Sequence, residues 1–407
     1  MKLFDKKLFR GSLLSLVYAL GVFFIVASGG SGSGSGSTDN SCRLVISAVA
    51  PVVGSDDIWI SVLSELPAGD FNSVVRLKRD GSEALPPIPL DRGSDNVIRA
   101  IAVDALSKDV YVGGDFSEGI FRLNEDGSLD NAFAVGSGFN GPVSTIVPVA
   151  DGSGNIYVGG FFSQYQGVDV GGLVRLTPAG SLDAKFAGSQ AIQAVARAGS
   201  TYPGSVYSGG YVFPRLARWS STAFKDSDFT PSGGIGPVFS IALVAGGFGA
   251  VYAGGDFSPG IYRLSNTGRT DNAFAVGSGF NDSVRKIVHT ADSSGDIYAL
   301  GEFTTYQDSA ANGLVRLNPD GSPEVNFFPG TGFNNADGPV PFSEFASSAL
   351  AADASGDLFV GGDFTDYDGT TVDGLVRLND DGSLDSDFAA RISSEGGTCT
   401  EGIFKAS

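Results

Sequence analysis

Three stretches of this 407-residue chain set a tyrosine among carboxylates: SQYQGVDVGG (Ser163 to Gly172), TTYQDSAANG (Thr304 to Gly313) and TDYDGTTVDG (Thr365 to Gly374). Tyr165, Tyr306 and Tyr367 stand there beside Asp169, Asp308, Asp366, Asp368 and Asp373. An aromatic ring stacks on the face of a sugar, while carboxylates and phenols exchange hydrogen bonds with hydroxyls or hold a cation. The chemistry expected of these loops is therefore binding of a carbohydrate or of a cation-dependent ligand. The competing reading is that each tyrosine packs against its own loop and each aspartate solvates it.

Covalent chemistry has less to work with. One histidine and two cysteines exclude zinc fingers, histidine-rich metal sites and Cys–His nucleophile pairs. His289 follows Ile287 and Val288 in an apolar run, where a packed side chain is expected and no Ser-His-Asp set can be built around it. DGSGN (Asp151 to Asn155), DSSGD (Asp292 to Asp296) and DASGD (Asp353 to Asp357) resemble calcium loops superficially, yet lack the alternating oxygen ligands and closing Glu of an EF-hand. They read as hairpin turns, so no cofactor is expected, a structural calcium being the alternative.

Other charges recur. Arg76, Arg122, Arg175, Arg218, Arg263, Arg316 and Arg377 each follow two apolar or small residues, and Asp130, Asp183, Asp226, Asp271, Glu324 and Asp385 each precede a Phe by three. A site needs a break in symmetry, so a charge present in every repeat reads as architecture. Ion pairs are expected within or between repeats, Arg122, Arg175, Arg263, Arg316 and Arg377 with Asp130, Asp183, Asp271, Glu324 and Asp385. A second set of acids, Asp115, Asp256, Glu302 and Asp363, follows a Gly and is read as fixing a turn, the alternative being a ring on one face, with Phe161 and Tyr211 standing there in two repeats.

The elements that carry these groups are short strands. NIYVGGFF (Asn155 to Phe162) alternates at a period of two, GLVRL (Gly172 to Leu176) is a further strand, and TPAGS (Thr177 to Ser181) has turn chemistry. The DIYVGG strand recurs seven times, beginning at Asp57, Asp109, Asn155, Ser205, Ala250, Asp296 and Asp357. Units of about 40 to 50 residues with several short strands are the mark of β-propeller blades, none of which buries its faces alone. The expected fold is all-β: a seven-bladed β-propeller of four-stranded antiparallel blades over 42–399. No helix is expected in that span, and the last outer strand, SLDSDF (Ser383 to Phe388), is expected to complete the first blade.

The runs FRLNEDGSLDNAF (Phe121 to Phe133) and LVRLNDDGSLDSDF (Leu375 to Phe388) resemble the delta-60 repeat family of bacterial exported β-propellers. That resemblance implies the propeller fold and leaves the activity open. Repeat four lacks the Asp-Gly turn, and repeat one has SEALPPIP (Ser82 to Pro89) in place of its last strand.

Ahead of the repeats, Lys2, Lys6, Lys7 and Arg10 precede an apolar run from Leu13 to Ala27, which reads as a signal peptide over 1–28. GGSGSGSGS follows as a flexible linker over 29–41, and 400–407 is a tail. Cys42 and Cys399 stand at the two ends of the repeats, where an exported protein is expected to join them in a disulfide. With 26 Lys and Arg against 45 Asp and Glu, the net charge of −19 argues against nucleic acid. A secreted or cell-surface monomer (periplasmic location being the variant) follows, with no membrane insertion once the signal is removed. Its expected role is a non-enzymatic binding module for an extracellular glycan or protein. A carbohydrate-active hydrolase or lyase and a structural spacer are the alternatives.

Overall fold

Each DIYVGG stretch becomes the middle strand of a small antiparallel sheet, because its apolar, aromatic and glycine residues suit burial on both faces. The computed structural model describes residues 43–65, 71–90, 97–186, 191–232, 234–335, 338–339, 348–353 and 356–392. Cys42 and Cys399, the signal, the linker and the tail lie outside them. Among the described residues, the middle strands are Ile58–Glu65, Val110–Asp115, Ile156–Gly160, Val206–Gly210, Val251–Gly255, Ile297–Gly301 and Leu358–Gly362. Each pairs on one side with a first strand and on the other with the strand that carries the repeated Arg.

The first strands lie against one another in chain order, from Val97–Val103 through Val143–Pro148, Ile192–Arg197, Val238–Leu243 and Val284–His289 to Ser348–Ala352. Val49–Pro51 of the first sheet touches both the second and the seventh, so the series returns on itself. This is the inner wall of a β-propeller. Glycine sets the spacing between sheets: a Cβ at Gly113 would lie 2.6 Å from Val143 Cγ1, and one at Gly209 2.6 Å from Val238 Cγ1. The sixth sheet breaks the pattern with Leu300, which is fully buried.

The four-stranded expectation holds for some sheets and is corrected for the rest. Among the described residues the first and third sheets have a fourth strand, Ile88–Pro89 and Leu182–Lys185; in the others a single bridge stands in its place, as at Leu123↔Leu129 and Leu378↔Leu384. The repeated acid is the reason. Asp130 Oδ1 accepts the Ala132 N–H at 2.8 Å, Asp226 that of Asp228 at 2.9 Å and Asp271 that of Ala273 at 3.0 Å, each turning the chain off the edge. The last outer segment is corrected twice: it pairs with its own sheet, and Ser386–Ile392 is a short helix whose Phe388 and Ile392 pack with Ile58, Val75 and Phe359.

Arginine joins the sheets edge to edge. Arg122 binds Asp130 (2.5 Å), Arg218 binds Asp226 (2.7 Å) and Arg263 binds Asp271 (2.9 Å), while Arg175–Asp183 and Arg377–Asp385 are closer still. Each guanidinium also donates to a carbonyl in the next sheet's outer turn: Arg122 to Pro178, Arg175 to Ser221, Arg218 to Asn266, Arg263 to Pro319 and Arg377 to Arg79 of the first sheet. Arg316 is corrected: it pairs with Asp292 (2.6 Å) and Asp296 (2.8 Å), not with Glu324. Glu324, one methylene longer than the Asp of other repeats, accepts instead from the Asn326 N–H and side-chain amide.

Candidate functional site

The tyrosine loops fold as tight hairpins. Gln164–Tyr165 pairs with Val168–Asp169 across Gln166 and Gly167, whose φ values of 49° and 74° are those of a type I′ turn. Gln307-Asp308 and Asp368-Gly369 make the same turn in the sixth and seventh sheets. Asn140 of the preceding connection accepts the N–H groups of Ser163 and Gln164 at 2.9 and 2.8 Å, so loop and connection are clasped together.

This geometry corrects the ligand role expected of the three rings. Tyr165, Tyr306 and Tyr367 are at most 1% exposed, packed on Phe139, Phe280 and Phe333 at centroid distances of 4.5, 4.5 and 4.8 Å. Their hydroxyls donate to the carbonyls of Gly180, Gly321 and Gly382. Burial raises all three phenols, Tyr306 to about 12. The carboxylates fix the same loops. Asp169 accepts from Gln164, Asp308 from Ser278, Asp366 from the Gly369 N–H and Asp368 from the Thr331 N–H. A module repeated in three sheets with every polar atom of the tyrosine used internally is architecture.

The other expected positions are likewise structural. Asp151 and Asp292 each accept a serine N–H two residues on, closing hairpins, and Arg316 already supplies a cation to Asp292. His289 Nε2 donates to the Leu243 carbonyl of the preceding sheet.

Where the repeats differ is the rim formed by the starts of the first strands and the ends of the second. In sheets two to six a β-bulge interrupts the register at one level, placing Arg99, Ser144, Gln193, Phe239 and Arg285 as the extra residues. A bulge re-aims its side chain without disturbing the neighbouring pairs. The backbone device is constant and the side chains are not. Directly across stand the residues after the glycines: Asp115, Phe161, Tyr211, Asp256, Glu302 and, in the seventh sheet, Asp363.

These side chains meet. Phe161 and Tyr211 lie 5.9 Å apart by ring centroid, Tyr211 and Phe239 5.3 Å. The Arg285 guanidinium lies 4.1 Å over the Phe239 ring and donates to Glu302 Oε1 at 2.8 Å. Arg99 faces Asp115 at 3.7 Å. Asp115 and Glu302 thus answer arginines across the rim, which corrects the turn-fixing role expected of them. Three buried polar atoms here, Arg99 Nε, Ser144 Oγ and Tyr211 Oη, have no protein partner. Phe161 is exposed and Tyr211 half-buried beside it, and this aromatic edge running into a charge pair can stack on a polyhydroxylated ligand. The bulge residues escaped sequence reading because an apolar strand interrupted by one variable residue looks like ordinary surface alternation.

Comparison with known proteins follows this architecture. Residues 109–133, 152–186, 293–327 and 354–388 match the family described as "Domain of unknown function (DUF5122) beta-propeller". No curated protein matches the chain. Among solved structures, Sqt1 from Chaetomium thermophilum is similar, with 13% identity, 90% of this chain and 88% of that one covered, and a TM-score of 0.50. A second crystal structure of the same protein has 11% identity, covers 83% of this chain and 98% of that one, and has a TM-score of 0.46. Such a likeness speaks to the fold alone. With the repeat signature in four segments and sheets packed side by side around an inner wall, the chain is a β-propeller repeat protein similar to the DUF5122, or delta-60, type.

Proposed function

We propose that this propeller is an exported binding module, a closed ring of seven blades that takes a saccharide at the rim of its inner wall. The observation that carries the reading is the unrepeated arc Phe161–Tyr211–Phe239–Arg285–Glu302, set on a bulge repeated in five sheets. Ring closure is supported by the contact of Val49–Pro51 with its neighbours on both sides and by the Arg377 bond to the Arg79 carbonyl. Basic residues ahead of the apolar run near the N-terminus support export.

A glycan array, run with and without chelator, tests the proposal. The protein is expected to bind a saccharide, and Tyr211→Ala to weaken that binding about tenfold through lost stacking, while Tyr165→Phe leaves it unchanged. Binding insensitive to Tyr211→Ala would remove the rim from consideration. Binding lost on chelation would show that the ligand is taken up with a cation.

A further inference from the structure

The rim's broken symmetry continues into the wall at one place, between the sixth and seventh sheets. The position after the bulge is small in the other sheets, being Ala100, Thr145, Ala194 and Ser240, but in the sixth it is Lys286. Lys286 pairs directly with Leu300, and paired residues point to the same face of a sheet. Leu300 packs with Leu350 and Leu358 of the seventh sheet, so this face looks toward that sheet. Leu300 also stands where the second to fifth and the seventh sheets have the spacing glycine, and it is fully buried. A lysine therefore sits on the innermost strand, on the face turned toward the seventh sheet.

Among the described residues no hydrogen bond or ion pair engages the Lys286 ammonium. Its sequence neighbour Arg285 faces the other way, onto Phe239 of the fifth sheet, and is neutralised by Glu302. The side chain keeps contact with solvent although protein surrounds it, and burial holds its ammonium below the ordinary lysine value. A cation kept there without a partner gains most from an anion that arrives with the ligand. The net charge of −19 repels anions at long range, but that field is screened beyond about 8 Å at physiological salt.

We infer that Lys286 is the anion-binding residue of the rim site and that the ligand is an acidic saccharide, its carboxylate on Lys286 and its sugar faces along the aromatic arc. The inference rests on the saccharide reading above and names the class of saccharide. The probes are oligogalacturonate and its methyl ester, which share their rings and differ in charge. By calorimetry the native protein is expected to bind the acid about tenfold more tightly than the ester. Lys286→Met should remove that preference and leave ester binding unchanged, Lys286→Arg should retain it, and Tyr211→Ala should weaken both probes.

Equal binding of the two probes by the native protein, with both lost in Tyr211→Ala, would overturn the role of Lys286 and leave the saccharide site standing. A second readout needs no saccharide. In protein labelled with 15N at the lysine side chains, millimolar acetate should shift the Lys286 resonance and raise its titration midpoint, the signal being identified by its loss in Lys286→Met. An unmoved resonance would overturn the inference even if both oligosaccharides bound. A shift without binding of either oligosaccharide would retain the anion site and refute the saccharide.

Discussion

Arg218 shows at single-residue scale what the repeated charges do. Its side chain is 2% exposed, paired with Asp226 and bonded to Tyr207 and to the Asn266 carbonyl of the next sheet. Removing one partner of such a pair strands the other, so Arg218→Ala is expected to cost about 3 kcal/mol, read as a lower denaturant midpoint. Arg218→Lys keeps the charge but loses the forked geometry and should fall between. Tyr165→Phe, by contrast, deletes one buried hydroxyl and leaves the Gly180 carbonyl without its donor. Its cost should be about 1 kcal/mol, with ligand binding untouched. The same substitution at Tyr306 should behave alike, because the two hairpins are copies.

Among elements, the spacing between sheets is the quantity most exposed to test. A methyl at Gly209 would fall 2.6 Å from Val238 Cγ1 and 3.1 Å from Ile241 Cδ1, both on the next first strand. Gly209→Ala is therefore expected to destabilise by about 1 to 3 kcal/mol through overpacking, measured by chemical denaturation. Leu300→Gly in the sixth sheet makes the converse change and removes a fully buried side chain that packs with Leu350 and Leu358. The bulges are elements of the same kind. They hold one position free of the repeat's constraints, which is how Phe239 and Arg285 differ while Val238 and Val284 before them stay apolar.

At the scale of the molecule, stability passes from sheet to sheet and the ring depends on its carboxylates. Burial works against ionisation of Asp130, Asp226 and Asp385. The N–H of Ala132, Asp228 and Phe388 and the guanidinium of Arg122, Arg218 and Arg377 outweigh it, holding each carboxyl below its ordinary value. A carboxyl depressed in the folded state contributes stability that is full above its unfolded pKa of about 4 and is lost as pH falls through the folded value. The thermal midpoint should accordingly hold from neutrality down to about pH 5 and drop steeply below about pH 4. A midpoint flat to pH 3 would show that these pairs contribute little. Arg377→Ala removes the bond from the seventh sheet to the first, and its midpoint should fall at least as far as that of Arg122→Ala, which cuts the same bond inside the series.

Local chemistry along the chain determined the strands, the turns and the repeat, since alternation, Asp-Gly turns and paired glycines act over a few residues. It also named the partners Arg122–Asp130 and Arg377–Asp385, because an eight-residue spacing across one turn fixes which side chains meet. Folding in three dimensions decided the rest. Whether Tyr165 faces solvent depends on Phe139, which arrives from the preceding repeat, and whether Arg316 takes Glu324 or Asp296 depends on a competition between two turns. The rim exists only because residues from five sheets, each unremarkable in its own strand, are brought to one level by the packing of those sheets around a common wall.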